Sequence, residues 1–302
     1  MIDTAWDEYR AWAARARELQ KSSQMWNTLA LVAAGAAAVF GAAALQTASH
    51  PPIATTLSLA AAIAAGAVPF LGKEILTMGS EAQWIRARAT AEAIKSECYR
   101  YAARVGDYAG PNRNEIFRTR RAALIAEATK AGLSGKNLDP KDDPRKPPDQ
   151  FDAAWYDKNR ILDQIKFYSD RQEQHEATAK RLRNLSFGAS FAAAALGIAG
   201  ARYEAFAPWI GALTTISTAV AAQGLMSRYQ QLAATYSGMA SGLKSIRDEI
   251  KEIGLEGLVT RTEDLMQSEH AAWVEHMTKT IPKPPAAPAT PAKLDEPAKT
   301  GG

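Results

Sequence analysis

Four long apolar stretches dominate this sequence, and none of them contains Asp, Glu, Lys or Arg. They cover residues 27–45, 53–72, 185–201 and 206–226. A helix that crosses a bilayer needs about 20 mostly apolar residues, and each stretch is close to that length. A soluble helix normally keeps a charged stripe towards water. The pattern therefore predicts four transmembrane helices.

The composition of these stretches leaves one alternative open. They are rich in alanine, which favours membrane insertion less than Leu, Ile or Phe does, and buried hairpins of soluble proteins can be alanine-rich too. In lipid, however, small residues let helix backbones approach each other closely and pack. The absence of any charge favours the membrane over a soluble core.

Short connections pair the four stretches. Residues 46–52 join the first pair and residues 202–205 join the second, and Arg202 is the single Lys or Arg in these loops. Lys and Arg are instead concentrated on the outer flanks of each pair. Because basic loops stay in the cytoplasm, this distribution predicts that both termini and the central segment are cytoplasmic.

The polar segments show heptad spacing. In Trp84–Val105, small and apolar side chains recur at heptad positions. A second seam, in which apolar residues are spaced alternately four and three residues apart, runs from Leu225 to Ile253. Such alternation is typical of helices packed in coiled-coil geometry, and Gly254 is expected to end the second seam. We therefore predict an all-α membrane protein with two tandem transmembrane helical hairpins and a cytoplasmic, coiled-coil-like helical bundle.

The chain divides into two similar units at a proline-rich segment. Residues 1–134 are predicted to form the first two-transmembrane unit and residues 151–280 the second. Between them, residues 135–150 contain four prolines and mixed charges, which neither a helix nor a strand tolerates. Residues 281–302 are rich in Pro, Ala and Lys, a composition that predicts a disordered tail.

Two stretches resemble the SLATT superfamily. WIRARATAEAIKSECYRYAARVGDY, at residues 84–108, is similar to the family pattern W-x3-R-x2-AE-x-LK, and VTRTEDLMQSEHAAW, at residues 259–273, is similar to its closing E-x5-E-x3-W element. The matching positions are Trp84, Arg88, Glu92 and Lys95 in the first stretch and Glu263, Glu269 and Trp273 in the second. The resemblance implies two tandem copies of the domain, with structural roles for these residues.

The SLATT superfamily consists of bacterial two-transmembrane domains that are associated with conflict systems based on nucleotide second messengers. The resemblance therefore implies a non-enzymatic effector of the bacterial inner membrane, whose homo-oligomer opens or disrupts the bilayer. We expect its partners to be membrane lipid and a separate sensor protein, since no sensor domain is recognisable in this chain. The alternative is a membrane-anchored scaffold whose cytoplasmic bundle recruits a partner protein.

Two sets of polar residues are candidate functional sites. Hydroxyl groups that share helix faces inside the apolar stretches could line a water path or pack helices through hydrogen bonds; they are Thr55, Ser58, Thr214, Ser217 and Thr218. Arginines concentrated in residues 112–131 could contact anionic lipid or a phosphate-bearing ligand, or simply face solvent; they are Arg113, Arg118, Arg120 and Arg121.

Other function classes find little support in the sequence. The motifs of P-loop, dinucleotide-binding and zinc-protease sites are missing, and the four histidines are scattered. We therefore predict no enzyme activity, no cofactor and no metal site. A net charge of only +4 argues against a nucleic-acid partner. Cys98, the single cysteine, excludes an internal disulfide and is expected to be a core residue of the heptad seam.

Overall fold

The computed structural model describes residues 1–77, 80–139, 143–223 and 225–279. Within these ranges the description includes side chains except at residues 73–77, 80–82, 204, 222–223, 225–228 and 270–279. The described residues form helices and their connections, with no strand among them. The all-α fold class is therefore confirmed. The predicted disordered tail, residues 281–302, lies outside the described residues.

Long helices alternate with short connections along the chain. A π-helical segment, Asp157–Ile161, leads into the longest helix of the second half, and 3-10 turns occur at Gly106–Tyr108 and Glu204–Phe206. The α-helices are α1 (Ile2–Gln46), α2 (Pro51–Thr77), α3 (Ser80–Ala103), α4 (Arg113–Lys130), α5 (Ala153–Tyr156), α6 (Leu162–Gly200), α7 (Ala207–Gln223), α8 (Leu225–Asp248) and α9 (Ile250–Lys279).

Three helical stretches are long and apolar enough to cross a membrane. They are Ile2–Gln46, Pro51–Gly72 and Ala153–Gly200, and Ala207–Ala221 is a shorter apolar helix. The first three contain the predicted spans 27–45, 53–72 and most of 185–201. Of the fourth predicted span, 206–226, residues 207–223 form α7, which follows a 3-10 turn, and residues 225–226 begin α8.

The apolar parts of the helices pack through small residues. At this level α1 contacts α2 and α7, and α6 contacts α7. The residues buried here are Ala42, Ala44, Ala189, Ala193, Ala212, Ser217 and Val220. Large side chains point outward instead: Phe191 is 79% exposed and Ile198 is 80% exposed. In this part of the molecule the large side chains therefore lie on the outside and the small ones lie between the helices.

The polar parts of the helices form a bundle with large side chains inside. One apolar cluster joins residues from both halves of the chain, among them Trp6, Tyr99, Phe117, Tyr156, Leu243 and Leu258. The two halves therefore share a single core in the bundle. The members of the predicted first seam are all buried, and all except Val105, which follows the end of α3, lie on that helix: Trp84, Ala87, Ala91, Ile94, Cys98, Tyr101 and Val105.

The second predicted seam is buried most deeply at its centre. Tyr236, Met239 and Leu243 of α8 are buried, whereas Leu232 and Ile246 are partly buried against the same core. The helical path breaks at Gly254, whose φ of 63° is a conformation that glycine adopts without steric cost. This break lies where the sequence predicts it, but the predicted helix is already interrupted by a turn at Glu249, where α8 ends and α9 begins. α8 and α9 contact each other.

The proline-rich connection lies along the N-terminal part of α1. Its described residues are not helical, as the sequence predicts. The backbone N–H of Lys136 donates to the carbonyl oxygen of Ala11 at 3.2 Å, and the Lys146 ammonium pairs with Asp3 at 2.7 Å. The connection is therefore packed against the first half of the chain over much of its length.

Candidate functional site: a cavity between the two halves

A cavity of about 1100 Å³ lies between α3 and α4 from the first half of the chain and α6 and α9 from the second. Its lining includes Arg88 and Glu92 of the first motif and Glu263 and Glu269 of the second. These motif residues are more than 160 positions apart in sequence. The fold brings them to one place, because α3 and α9 pack against each other.

A buried ion pair forms the floor of the cavity. Arg160 and Glu263 are 2% and 0% exposed. Arg160 donates from Nε to Glu263 Oε1 at 2.9 Å and from Nη2 to Oε2 at 3.0 Å, which is the bidentate geometry that makes arginine–carboxylate pairs strong. The Tyr156 hydroxyl donates to Oε1 at 2.8 Å. Three donors from one short segment thus hold a carboxylate of α9.

The segment that positions Arg160 has an unusual backbone. Residues 157–161 form a π-helix, and such segments are rare and frequently occur at functional sites. The segment is anchored to α8, because Arg247 Nε donates to Asp157 at 2.7 Å. The Arg160 guanidinium also lies 4.5 Å from the ring centroid of Tyr99 on α3, a cation–π contact. Arg160 therefore touches α3 and α9 at once.

Electrostatics keeps the Arg160 guanidinium charged in spite of its burial. Burial opposes the charge on Arg160, but the Glu263 carboxylate outweighs it and holds the pKa of the guanidinium well above its usual value. Burial raises the pKa of the Tyr156 hydroxyl well above its usual value, and Glu263 adds to that rise. Tyr156 therefore stays protonated and remains a hydrogen-bond donor to the carboxylate.

The first-half motif residues face both the core and the cavity. Trp84 is buried and packs against partly buried Leu19 and Leu232. Lys95 is also buried, pairs with Glu92 at 3.8 Å and lies over the ring of Tyr9 at 5.3 Å. These contacts fit the structural roles that the family resemblance implies.

Two of the three second-half motif residues have side chains that the structure describes. Glu263 belongs to the buried pair. Burial raises the pKa of the Glu269 carboxyl, with an opposing influence from Arg88 and a further rise from Glu92. The side chain of Trp273 lies outside the described residues. The structure therefore places two of these three residues at the cavity.

The four candidate arginines of α4 do not form one surface. Arg120 reaches α3, where it pairs with Glu97 at 3.7 Å, and it also pairs with Asp107. Arg121 faces α1 and pairs with Glu8 at 3.2 Å. The other two make weaker contacts: the Arg113 guanidinium lies 4.7 Å from the Tyr101 ring centroid, and Arg118 Nε donates to the Asn114 carbonyl oxygen at 3.4 Å.

The candidate hydroxyls fall into two environments. Ser217 is buried between α6 and α7, with its Oγ 2.8 Å from Ser190 Oγ and 3.2 Å from Ser186 Oγ. Thr55, Ser58, Thr214 and Thr218 are exposed. Among these, Thr55 and Thr214 each donate at 2.8 Å to the backbone carbonyl one turn earlier. Ser217 thus joins two helices, whereas the other four lie on the outside of the chain.

Sequence reasoning missed the residues that hold the site together. Arg160 and Tyr156 occur in an ordinary-looking charged helix, YDKNRILDQI, and no local pattern marks them as partners of Glu263. Cys98 is buried as predicted, and burial raises the pKa of its thiol. The described residues contain no group of three or more His, Cys, Asp or Glu side chains suited to a metal ion.

Comparisons with known proteins match each half of the chain separately. Residues 156–273 match the family model of the SMODS and SLOG-associating 2TM effector domain 1, a SLATT family. Residues 8–115 match a different model, that of a protein family of unknown function, DUF4231. No curated protein and no solved structure matches the chain. The resemblance to SLATT is therefore confirmed for the second half, whereas a second SLATT copy in the first half stays a prediction.

The two matches meet at the cavity described above. Tyr156, Arg160 and Glu263 lie within the SLATT match, and Arg88 and Glu92 lie within the other. The SLATT match includes all of α6, α7 and α8, that is, the second pair of apolar helices together with the polar helices around it. The second half of this chain is therefore similar to a SLATT two-transmembrane effector domain.

Proposed function

We propose that this protein is an effector of the bacterial inner membrane that acts in a conflict system and changes the permeability of the bilayer as a homo-oligomer. The observation that carries the proposal is the packing of the apolar helices, with small residues inside and Phe, Ile and Leu outside. Such a surface is stable in lipid, and in water it would be a large exposed apolar patch. The SLATT match supplies the link to conflict systems.

The proposal includes a topology with four spans and both termini in the cytoplasm. It is supported by the lack of basic residues in the 46–52 loop and by the basic residues that flank each apolar pair. Reporter fusions after residues 48, 130 and 300 are expected to read outside, inside and inside. An external reading at residue 130 would contradict the four-span arrangement, because that position lies between the two pairs.

The route for ions is proposed to form between copies of the chain. Thr214 and Thr218 lie on one face of α7 and are exposed, so they are available to line a water path in an assembly. Replacing both with Leu makes that face apolar, and apolar constrictions stop conduction by excluding water. Insertion is retained because Leu favours the bilayer more than Thr does.

This idea is tested by liposome conductance together with oligomer size in detergent. The double variant Thr214→Leu/Thr218→Leu is expected to lose conductance and keep its oligomer size. Thr215→Leu is the matched control, since Thr215 is exposed on the same helix and also donates to the backbone one turn earlier. Full conductance in a correctly assembled double variant would exclude these two residues as the gate.

A second candidate function is a membrane-anchored scaffold that recruits a partner through the cytoplasmic bundle. One observation favours it: the Thr55 and Thr214 hydroxyls are satisfied by their own helix backbone and need no water. The two functions differ in the effect of induced expression on membrane potential. Loss of the potential supports the effector, and an unchanged potential with the protein correctly inserted supports the scaffold.

A further inference from the structure

The cavity between the two halves contains a buried cationic nitrogen with no acceptor. Nη1 of Arg160 is buried and meets no hydrogen-bond acceptor in the part of the chain that the structure describes, although Nε and Nη2 both bond to Glu263. A buried donor without a partner is costly, more so when the group is charged. Arg160 lines the cavity, so its guanidinium group lies beside the space that a ligand would occupy.

Most carboxylates around the cavity already have cationic or hydroxyl partners. Glu263 is held by Arg160 and Tyr156, Glu97 is paired with Arg120, and Glu92 is paired with Lys95. The lining also holds Glu269, whose carboxyl has a pKa raised by burial, and Glu127, which is exposed. The negative charge available at the inner wall is therefore small.

Two cations at the rim remain available. Arg86 and Lys130 line the cavity and are exposed, and neither forms an ion pair within the described residues. They come from α3 and α4 respectively, on the side of the cavity that the first half contributes. The charge of Arg160 is balanced by Glu263, so the positive charge lies at the entrance, and Arg160 adds an unpartnered N–H donor at the inner wall. This distribution favours a ligand with an acidic group.

The remaining wall is mixed, with apolar side chains beside the uncharged polar residues Thr90, Ser96, Gln164, Tyr168 and Gln267. Side chains without charge line the space between the rim and the buried pair; they include Ala89, Ala93, Ala123, Leu124, Phe167 and Met266. Small-molecule sites are typically concave, mostly apolar and about 300–1,000 Å³ in volume, with a few polar groups that fix orientation. The cavity of about 1100 Å³ is large enough for such a molecule.

We propose that this cavity binds a small organic anion, with a phosphate, sulfonate or carboxylate group near the arginines and a flat apolar body against the alanine wall. The ligand would contact α3 and α4 of the first half and α6 and α9 of the second, so its binding would fasten the two halves together. The cavity lies outside the apolar stretches, although α6 is part of both. Binding can therefore be measured without measuring ion conduction.

The test uses the full chain in phosphatidylcholine nanodiscs and 1-naphthyl phosphate as the probe. Binding is measured by equilibrium dialysis, with binding to protein-free nanodiscs subtracted, and inorganic phosphate is run as a second probe. We expect saturable binding of 1-naphthyl phosphate and at least tenfold weaker binding of inorganic phosphate, which lacks the apolar body. A ligand that binds only the folded state also raises the unfolding temperature, by an amount that grows with the logarithm of its concentration above the Kd.

Variants locate the bound probe. Ala123→Trp fills the cavity from an exposed position on α4 and is expected to abolish binding. The matched control is Ala122→Trp, which is exposed on the same helix and is not part of the cavity wall. Arg86→Gln/Lys130→Gln is expected to weaken binding about fivefold, since exposed charge pairs contribute modestly, and Arg118→Gln on the same helix is expected to leave it unchanged.

Several outcomes would overturn the proposal. Saturable binding that survives Ala123→Trp would place the probe elsewhere, and absence of saturable binding would exclude this ligand chemistry. If the wild type and the Arg86→Gln/Lys130→Gln variant bind the probe with equal affinity, the rim cations do not contribute to binding. None of these measurements involves conductance. A chain that binds the probe without conducting therefore contradicts only the proposed function, and the reverse result contradicts only the site.

Discussion

The apolar parts of the helices and the polar bundle of this chain are packed in opposite senses. In the bundle, aromatic and branched side chains such as Trp6, Phe117 and Leu243 are buried at 1%, 0% and 0% exposure. In the apolar parts of the helices, Phe191 and Ile198 are almost fully exposed. The same residue types therefore lie inside one region and outside the other.

The difference follows from what surrounds each region. Water drives large apolar side chains into a core, because each square ångström removed from water is favourable. Lipid is as apolar as Leu and offers no such drive, so helices associate there through close contact of small residues and interhelical hydrogen bonds. Ala189, Ala193 and Ser217 supply these contacts between α6 and α7. The change in packing thus indicates where the surroundings of the chain change from water to lipid.

The largest expected effect comes from a charge placed in the bundle core. Leu243→Asp buries a carboxylate where the structure has a fully buried Leu, and an unpaired buried charge costs several kcal/mol, about as much as a domain's net stability. We expect the bundle to unfold, as seen by loss of cooperative thermal unfolding in nanodiscs. Ser241→Asp is the control, because Ser241 is exposed two positions earlier. A Leu243→Asp variant with wild-type unfolding would contradict the proposed core.

One substitution made in both regions tests the contrast directly. Phe117→Ala leaves a cavity in the bundle and is expected to cost about 3–5 kcal/mol of unfolding free energy. Phe191→Ala changes an outward-facing residue and is expected to alter stability by less than about 0.5 kcal/mol. Denaturant unfolding in nanodiscs measures both. Equal costs would mean that Phe191 is covered in the native assembly, and its face would then be an interface between copies.

The contrast in packing between the apolar helices and the bundle was only partly predictable from the sequence. Heptad spacing identifies seven buried positions from Trp84 to Val105, because helical periodicity is a local property, but it misses others such as Ile85, Tyr99 and Ala102. The absence of charge likewise identifies the apolar helices. Spacing does not reveal that Arg160 meets Glu263, since the two are 103 residues apart and their partnership depends on how α9 folds back after Gly254. Nor does it reveal that both halves share one core, which depends on tertiary packing of α3 against α9.

The buried ion pair offers a third, smaller test within the bundle. Tyr156→Phe removes one of the three hydrogen bonds to the Glu263 carboxylate and leaves the ring in place. Hydrogen bonds to charged groups contribute about 1.5–3 kcal/mol, so we expect a loss of stability of that size. Tyr203→Phe is the control, because Tyr203 is 58% exposed. No change on Tyr156→Phe would show that Arg160 alone holds the carboxylate.

The smallest expected effect lies between the apolar helices. Ser217→Ala removes the hydroxyl that contacts Ser186 and Ser190 across the α6–α7 interface while keeping a small side chain there. Hydrogen bonds between transmembrane helices contribute about 0.6 kcal/mol on average, so the unfolding free energy in nanodiscs should fall by roughly that amount. Ser58→Ala serves as the control, because Ser58 is exposed. A loss several times larger would mean that polar contacts, more than small-residue packing, hold these helices together.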